Sequence, residues 1–472
     1  MAKKPAGLIY GLEDRPPAPV LGLLAVQHIF LMSSTLVLPI VLVNEIGGSF
    51  QQVAAVVALT MIACGLGTVL QALRLPGIGS GFLCPNLCGP NFFAASMGAA
   101  WLGGLPLMRG MTIVAGLTEM VFARLIHRLA FLFPTEITGL VVFMVSLSLV
   151  PVGTSKFLFV EYAGDPINGT GFWVTAVTLL VMVTLNVWSA GKIRLYGVLI
   201  GLIVGYGLSA IMGLLPLSAF GNVATMPWIG LPELDGMWEI SFSWSLMPVF
   251  VIASICGALK SFGNLVLCEK VNDDDWAEPD LPRIGRGLMA DGITVAAGGL
   301  LGGMASDTSA SNVSLSMASG ATSRRIGYVA GALFMVLGFS PKVSGALSII
   351  PSPVAGAIVV FVVCFMMMSG LQIILSAKPD MQRTFVIGIA LCFGISLDML
   401  PELYGNVPDW LGPLFGSSLT LATIVAVVLH QLLGMKRLVA ERYSRLRAAD
   451  SEPAAMASAG DSQAARRSGT DG

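Results

Sequence analysis

The stretch GGMASDTSASNVSLSMASGATSRR, residues 302–325, interrupts a chain that is otherwise a series of long apolar segments. It is rich in Ser, Thr, Gly and Ala, and it contains one carboxylate, Asp307. Polar, irregular backbone at membrane depth is tolerated only where it is buried in protein or lines a cavity. The stretch therefore predicts one half of a substrate site built on an interrupted helix.

The composition of the whole chain indicates a polytopic membrane protein. Of the 472 residues, 55% are hydrophobic and 11% are charged, whereas soluble domains carry about 25% charged residues. The net charge of −1 excludes the basic surface of a nucleic-acid-binding protein. The chain has no metal-ligand spacing of Cys and His, no phosphate-binding loop and no nucleophile elbow, so we expect no enzyme activity, cofactor or metal.

A helix needs about 20 apolar residues to cross a bilayer. Apolar runs of this length recur along the chain. Two further segments, 80–97 and 308–320, are too short or too polar to cross alone and bring the predicted total to fourteen. An even total puts both termini on one side, and the basic residues near each end predict that this side is the cytoplasm. The predicted spans are 20–43, 52–73, 105–127, 136–152, 171–189, 194–214, 244–268, 286–302, 325–340, 354–376, 383–400 and 416–434.

The two halves of the chain repeat the same order of segments. Residues 133–139 and 350–356 both read apolar-Pro-x-x-β-branched-x-Gly, and each opens a span that lies two spans after a short polar half-segment. Seven segments is an odd number, so the second copy must be inverted in the membrane, an arrangement typical of secondary transporters. We therefore predict an all-α fold of fourteen transmembrane segments in a 7+7 inverted repeat, with segments 3 and 10 interrupted.

The two interrupted segments supply most of the predicted substrate site. A half-helix that begins at the midplane has free backbone N–H groups and a partial positive charge, which suits a polar or anionic ligand. An asparagine there offers both donors and acceptors to a heterocyclic edge. The candidates are Phe82, Leu83 and Cys84 before the first half-helix, and Ser309, Ala310, Ser311 and Asn312 at the second.

Lys260 lies well inside the eighth span. A charge at that depth costs roughly 2.5–3.5 kcal/mol on insertion scales, so we expect this lysine to face a cavity or a carboxylate. Asp291 and Asp307 are its candidate partners and the candidate coupling residues, and a structural ion pair and a role in ligand binding both stay open. Asn264, four residues on, shares the helix face of Lys260 and is a further ligand candidate.

His28 of the first span is also a ligand candidate and is expected to face the interior of the helix bundle. It can serve as a core imidazole bonded to a neighbouring helix or as a proton relay. Glu119, Arg124 and Arg128 stand at helical spacing toward the end of a span. We expect these three to be boundary charges in contact with solvent.

These features together resemble the nucleobase–ascorbate transporters, also called nucleobase:cation symporter-2 proteins, which include uracil and xanthine permeases. The resemblance extends from about residue 20 to 435. It is carried by Gln27-His28 and by the segments 77–82, 133–151, 194–206, 286–303, 323–342 and 350–370.

The resemblance implies a core domain that moves like an elevator against a gate domain, proton- or sodium-coupled symport, and a homodimer in a bacterial-type inner membrane. It implies a core of 20–128 and 244–342 and a gate of 129–215 and 343–436. The remaining pieces are a cytoplasmic segment 1–19, a loop 216–243 and a cytoplasmic, disordered tail 437–472.

Three positions depart from the family pattern. Lys260 stands where the resemblance implies a base-binding Glu, Ser311 stands where Glu or Gln precedes the signature Asn312, and Cys84 stands where a ligand-stacking Phe is expected. A lysine can donate hydrogen bonds but cannot accept them. We therefore predict an anionic or acceptor-rich purine such as urate or xanthine as ligand, with a small organic carboxylate or an uncoupled facilitator as the alternatives.

Overall fold

The structure, a computed structural model, describes residues 4–5, 8–129, 135–160, 168–188, 197–215, 217–232, 239–376, 380–405, 407, 415 and 418–434. The predicted tail and the basic cluster before it lie outside these residues, as do Phe133 and Pro134 of the first repeat motif.

The described residues form mostly helices, with one pair of very short strands. The strands are β1 (Asn86–Cys88) and β2 (Ser306–Thr308), and single 3₁₀ turns cover Ser34–Leu36, Pro90–Phe92 and Pro401–Tyr404. The helices are α1 (Ala18–Ser33), α2 (Val37–Glu45), α3 (Phe50–Ala72), α4 (Phe93–Leu129), α5 (Thr135–Leu158), α6 (Gly169–Trp188), α7 (Gly197–Ile211), α8 (Leu217–Thr225), α9 (Met247–Asn272), α10 (Leu281–Leu301), α11 (Ala310–Ser319), α12 (Arg324–Gly338), α13 (Pro341–Ser348), α14 (Ser352–Ser376), α15 (Met381–Met399) and α16 (Ser418–Gly434).

Each predicted segment overlaps at least one helix. Within the described residues, eight helices are long and apolar enough to cross a membrane, or nine if α12 and α13, bent by 83°, count as one span. The prediction of a mostly helical, multi-pass membrane protein is confirmed. The number of crossings, the inverted repeat and the division into core and gate stay predictions.

The third predicted segment begins later than expected. Residues 77–85 form a loop in which Gly79 and Gly81 have φ of 87° and 73°, values that favour glycine and interrupt a helix. The expected helix start at residue 80 is therefore wrong, and the first helical turn begins at Pro90. The half-helix ends at Gly104, whose φ of 67° breaks α4 into two portions.

Two helix crossings bring backbone against backbone. A Cβ atom on Gly116 of α4 would lie 2.3 Å from the amide nitrogen of Ala296 on α10. A Cβ on Gly65 of α3 would lie 2.6 Å from the carbonyl oxygen of Gly331 on α12. Only glycine permits such approach. The first crossing joins predicted segments 4 and 9, and the second joins predicted segments 11 and 2. The predicted repeat relates segment 4 to segment 11 and segment 9 to segment 2, so the two crossings are equivalent under it.

The predicted loop and the predicted N-terminal segment both contact the helices. The expected loop 216–243 contains α8, and Ser241 donates its backbone N–H to the carbonyl of Pro106. In the N-terminal segment, an ion pair joins Glu13 to Arg324 at the start of α12. The Arg324 guanidinium, which donates to the Glu13 carboxylate, lowers the pKa of Glu13.

Candidate functional site

The two interrupted segments meet as a two-stranded antiparallel ribbon. The first half-helix and α11 each begin about two residues after their strand, so both have an N-terminus close to the ribbon. The ribbon pairs backbone groups that would otherwise be buried without partners. The opposed residues are Asn86 and Thr308, Leu87 and Asp307, and Cys88 and Ser306.

A buried ion pair joins α9 to this ribbon. The Nζ of Lys260 lies 2.9 Å from each carboxylate oxygen of Asp307. The Asp307 side chain is 1% exposed and that of Lys260 is 18% exposed. Asn91, in the turn before the first half-helix, donates to the same carboxylate at 2.6 Å. Of the two partners that the sequence left open, Asp307 is thus the one that pairs with Lys260.

Asp291 of α10 has a different environment on the other side of the ribbon. Its Oδ1 accepts a hydrogen bond from the side-chain amide of Asn86 at 2.5 Å, and its Oδ2 accepts one from the Ser261 hydroxyl. The Ser261 oxygen in turn accepts the Thr308 hydroxyl at 2.8 Å. The carboxylate therefore contacts both strands, either directly or through one hydroxyl.

Asn264 and His28 both bind the N-terminal part of the second interrupted segment. The side-chain amide of Asn264 donates to the carbonyl and the hydroxyl of Thr308, at 3.1 and 3.0 Å. The Nδ1 of His28 lies 2.7 Å from the Oδ1 of Asn312. Since the Asn312 oxygen can only accept, the imidazole donates there. The expected bond from His28 to a neighbouring helix is confirmed, whereas its role as a proton relay stays a prediction.

Ser309 caps the N-terminus of α11. Its hydroxyl accepts the backbone N–H of Asn312 at 3.2 Å and the side-chain amide of the same residue at 2.9 Å. The cap satisfies one of the unpaired donors at the helix start and holds Asn312 toward His28.

Replacing Ser309 by alanine is expected to lower the stability of the folded protein by about 0.5–2 kcal/mol, the usual cost of losing an N-cap. The measurement is the midpoint of thermal unfolding of purified protein. Ser314→Ala is the matched control, because Ser314 is exposed in the middle of the same helix. An equal loss in both variants would argue against the capping role.

The three residues expected before the first half-helix lie in the loop 77–85, ahead of β1. Phe82 and Cys84 pack in an apolar cluster with residues of α9 and α10, and Leu83 packs in another with Ile326. The Arg283 guanidinium lies 3.6 Å from the centre of the Phe82 ring. The loop before β1 thus serves packing, so the expectation that these residues lead directly into the half-helix is wrong.

Asn91 and Gly89 occupy the positions that sequence reasoning missed. A Cβ on Gly89 would lie 3.2 Å from the Asp307 carboxylate carbon, so no larger residue fits without movement. Pro90, which follows, stands at the first helical position, where proline is common because its missing N–H would be unpaired anyway. The Gly-Pro pair was therefore the signal that could have located the helix start.

Only a few of the predicted site residues have exposed side chains. Ala310 and Ser311 are exposed on α11, and Lys260 is partly exposed. Ser314 and Met317 extend this exposed face along α11. The remaining predicted ligand residues and the two aspartates are buried, namely His28, Phe82, Leu83, Cys84, Asn264, Asp291, Asp307, Ser309 and Asn312.

Glu119 contradicts the expectation of a boundary charge. Its side chain is 1% exposed, and it lies close to the buried carboxyl group of Asp291. The contact arises because α4 continues to Leu129 and crosses α10 at Gly116, which turns Glu119 inward. Arg124 is exposed, as expected.

Comparison with known proteins identifies the fold and the class. The model of the xanthine/uracil permeases, described as Permease family, matches residues 21–403. The chain belongs to this family. This permease is a multi-pass membrane transport protein and not an enzyme, as expected from the sequence.

Its relatives and structural neighbours agree with this assignment. Xanthine permease XanP of Escherichia coli K12 is 26% identical over 90% of this chain and 94% of XanP. Uric acid permease PucJ of Bacillus subtilis is 26% identical over 88% of this chain and 92% of PucJ.

Among solved structures, the transmembrane domain of the cyanobacterial bicarbonate transporter BicA has a TM-score of 0.51 at 13% identity, covering 89% of this chain and 99% of that domain. The murine Slc26a9 anion transporter has a TM-score of 0.59 at 10% identity, covering 90% and 69%. At these identities the likeness shows the fold alone.

Proposed function

We propose that this permease is a secondary active transporter of an anionic or acceptor-rich purine, with urate and xanthine as the favoured substrates. The observation that carries the proposal is the ammonium group of Lys260 at the ribbon between the two half-helices. Membership of the permease family and relatives named for xanthine and uric acid support the purine class.

The Lys260–Asp307 pair defines what the ligand meets. An ammonium group has three N–H donors, and a carboxylate has no donor. With two donors directed at Asp307, one N–H of Lys260 is left for a ligand acceptor. The exposed Ser311 and the N-terminus of α11 add further hydrogen-bond donors. All of these groups favour a ligand edge that carries oxygen acceptors or negative charge.

A second candidate, a small organic carboxylate, rests on the same Lys260. A carboxylate presents two acceptors to the ammonium group and needs no contact with a ring. It differs from a purine in that it needs no flat apolar surface beside the lysine. The two candidates can therefore be distinguished by direct binding.

The proposed transport cycle moves a core domain, 20–128 with 244–342, against a gate domain, 129–215 with 343–436. The two equivalent glycine crossings, both within the core, support a rigid body built from two inverted copies. Coupling to H⁺ or Na⁺, a homodimer, cytoplasmic termini and a bacterial-type inner membrane complete the proposal.

The test is a thermal-shift measurement on purified protein with xanthine, urate, uracil, ascorbate and succinate. A ligand at about 100 times its Kd stabilises the folded state by about 2.7 kcal/mol. We expect xanthine or urate to raise the unfolding temperature and uracil to leave it unchanged. A rise with succinate and none with any purine would replace the purine by the carboxylate.

A further inference from the structure

Two carboxyl groups are buried against each other between α4 and α10. The side chains of Glu119 and Asp291 are 1% and 0% exposed and lie close enough for a hydrogen bond once one of the two carboxyl groups is protonated. A Cβ on Gly292 would lie 2.8 Å from the backbone nitrogen of Met120, so the backbones beside both acids are in contact. Two carboxylates buried next to each other without a neutralising cation strongly disfavour double ionisation, so the pair is expected to hold a proton.

The surrounding hydrogen bonds show where that proton resides. Both oxygens of Asp291 already accept donors, from Asn86 and from Ser261, which is the pattern of an ionised carboxylate. Neither oxygen of Glu119 accepts a hydrogen bond from any donor among the described residues. Glu119 is therefore the protonated member and donates to Asp291.

The pair is connected to the candidate substrate site through side chains. Asn86 stands opposite Thr308 in the ribbon, and Ser261 follows Lys260 in α9 and bonds to Thr308. A shift of the ribbon would change both donors to Asp291. Losing these donors would alter how well Asp291 bears a negative charge, and hence how firmly the pair holds its proton.

Other titratable groups near the pair come from three further elements and from the loop before β1, whose Cys84 thiol interacts electrostatically with Asp291. Asp307 of β2 and the Cys64 thiol of α3 are close enough to interact electrostatically with Asp291. Lys260 of α9 is committed to Asp307, with both oxygens 2.9 Å away. The lysine and Asp307 cancel each other in charge, so no cation among the described residues compensates the second negative charge that two ionised carboxylates would carry. A proton is the simplest cation that can do so, and it leaves the pair with one negative charge.

We propose that the Glu119–Asp291 pair is the binding site of the coupling proton, an inference that rests on the proposed transport function. In the closed arrangement the Glu119 carboxylic acid donates to the Asp291 carboxylate, and the pair carries one negative charge. When the pair opens to water, the Glu119 O–H bond breaks, one proton leaves to solvent, and two carboxylates remain. Rebinding one proton restores the pair.

The experiment uses purified full-length protein in liposomes, with radiolabelled xanthine and, separately, urate. Wild-type protein is expected to accumulate substrate when a pH gradient is imposed. Glu119→Gln keeps the size of the side chain and a donor for Asp291, so it should fold. We expect it to lose at least nine-tenths of the accumulation driven by the pH gradient. Exchange of internal for external substrate needs no net proton movement and should remain measurable.

The matched control is Asp398→Asn, an exposed acid on α15 that contacts neither the ribbon nor the pair; it should accumulate substrate as the wild type does. Accumulation by Glu119→Gln equal to wild type would overturn the inference. So would accumulation driven by a sodium gradient with no response to pH. If wild-type protein carries neither purine, the proposed function itself fails.

An infrared measurement tests the pair independently of substrate. Purified wild-type protein at neutral pH should show the carbonyl band of a protonated carboxylic acid, and this band should be missing from Glu119→Gln and retained in Asp398→Asn. A wild-type spectrum without the band would refute the shared proton even if transport is observed. Should Glu119→Gln fail to fold, the wild-type band and its response to pH still decide the question.

Discussion

Replacing Lys260 by alanine is expected to reduce uptake of xanthine or urate by at least 100-fold. Asp307, which is 1% exposed, would lose the cation that lies 2.9 Å from both of its oxygens. Breaking a buried pair on one side costs about 3–5 kcal/mol, or roughly two to almost four orders of magnitude in an equilibrium constant. The loss has two components, because the variant also lacks the donor that we assign to the ligand. The measurement is initial uptake in cells with the surface amount of protein matched.

A double variant separates the two components. Lys260→Ala with Asp307→Asn removes the uncompensated charge, so the unfolding temperature should return close to that of wild type. Uptake should stay low if Lys260 donates to the ligand. Recovery of uptake together with stability would instead make the ion pair purely structural. Lys270→Ala is the control on the same helix, since Lys270 is exposed and stacks on the Trp276 ring at the end of α9.

The ion pair also revises what the sequence implied about charge. A lone lysine in place of the Glu that the resemblance implies would give the site a positive charge. Asp307 cancels that charge. The ion pair therefore presents hydrogen-bond donors in fixed directions but has no net positive charge. Negative charge on a ligand must then be stabilised by the remaining N–H of Lys260 and by the start of α11. This favours a delocalised purine anion over a small, strongly hydrated one.

The apolar runs predicted the helices well because a bilayer leaves few other choices. Each span needs about 20 apolar residues and must pair its own backbone groups. The failures occurred where backbone conformation overrode composition. Gly79 and Gly81 adopt positive φ and delay the first half-helix to Pro90. Composition alone does not distinguish a glycine loop from the glycine-rich start of a helix.

The site was predictable in type but not in pairing. The depth of Lys260 in its span required a partner, yet both Asp291 and Asp307 were compatible with the sequence. The choice depends on the register of the ribbon, which is a tertiary property. Glu119 was misjudged for a related reason. Its position in the apolar run indicated a boundary, and the glycine crossing that buries it joins residues far apart in the chain.

The crossing at Gly116 leads to the second prediction with a large expected effect, which concerns the stability of the folded protein. Gly116→Ala is expected to destabilise the folded protein severely, by about 3 kcal/mol or more, at the upper end of the cost of overpacking. The added Cβ would lie 2.3 Å from the Ala296 amide nitrogen and 2.7 Å from its Cα. Backbone atoms cannot move aside as a flexible side chain can, so α4 and α10 must separate.

The same substitution at Gly98 is the matched control, because Gly98 lies on α4 and has open space where the Cβ would be added. Alanine is favoured over glycine inside a helix by up to about 1 kcal/mol, so Gly98→Ala should keep or raise the unfolding temperature. Equal unfolding temperatures in the two variants would mean that the helices are not in backbone contact. Glu119 would then have no reason to face Asp291, and the proton-sharing pair would lose its structural basis.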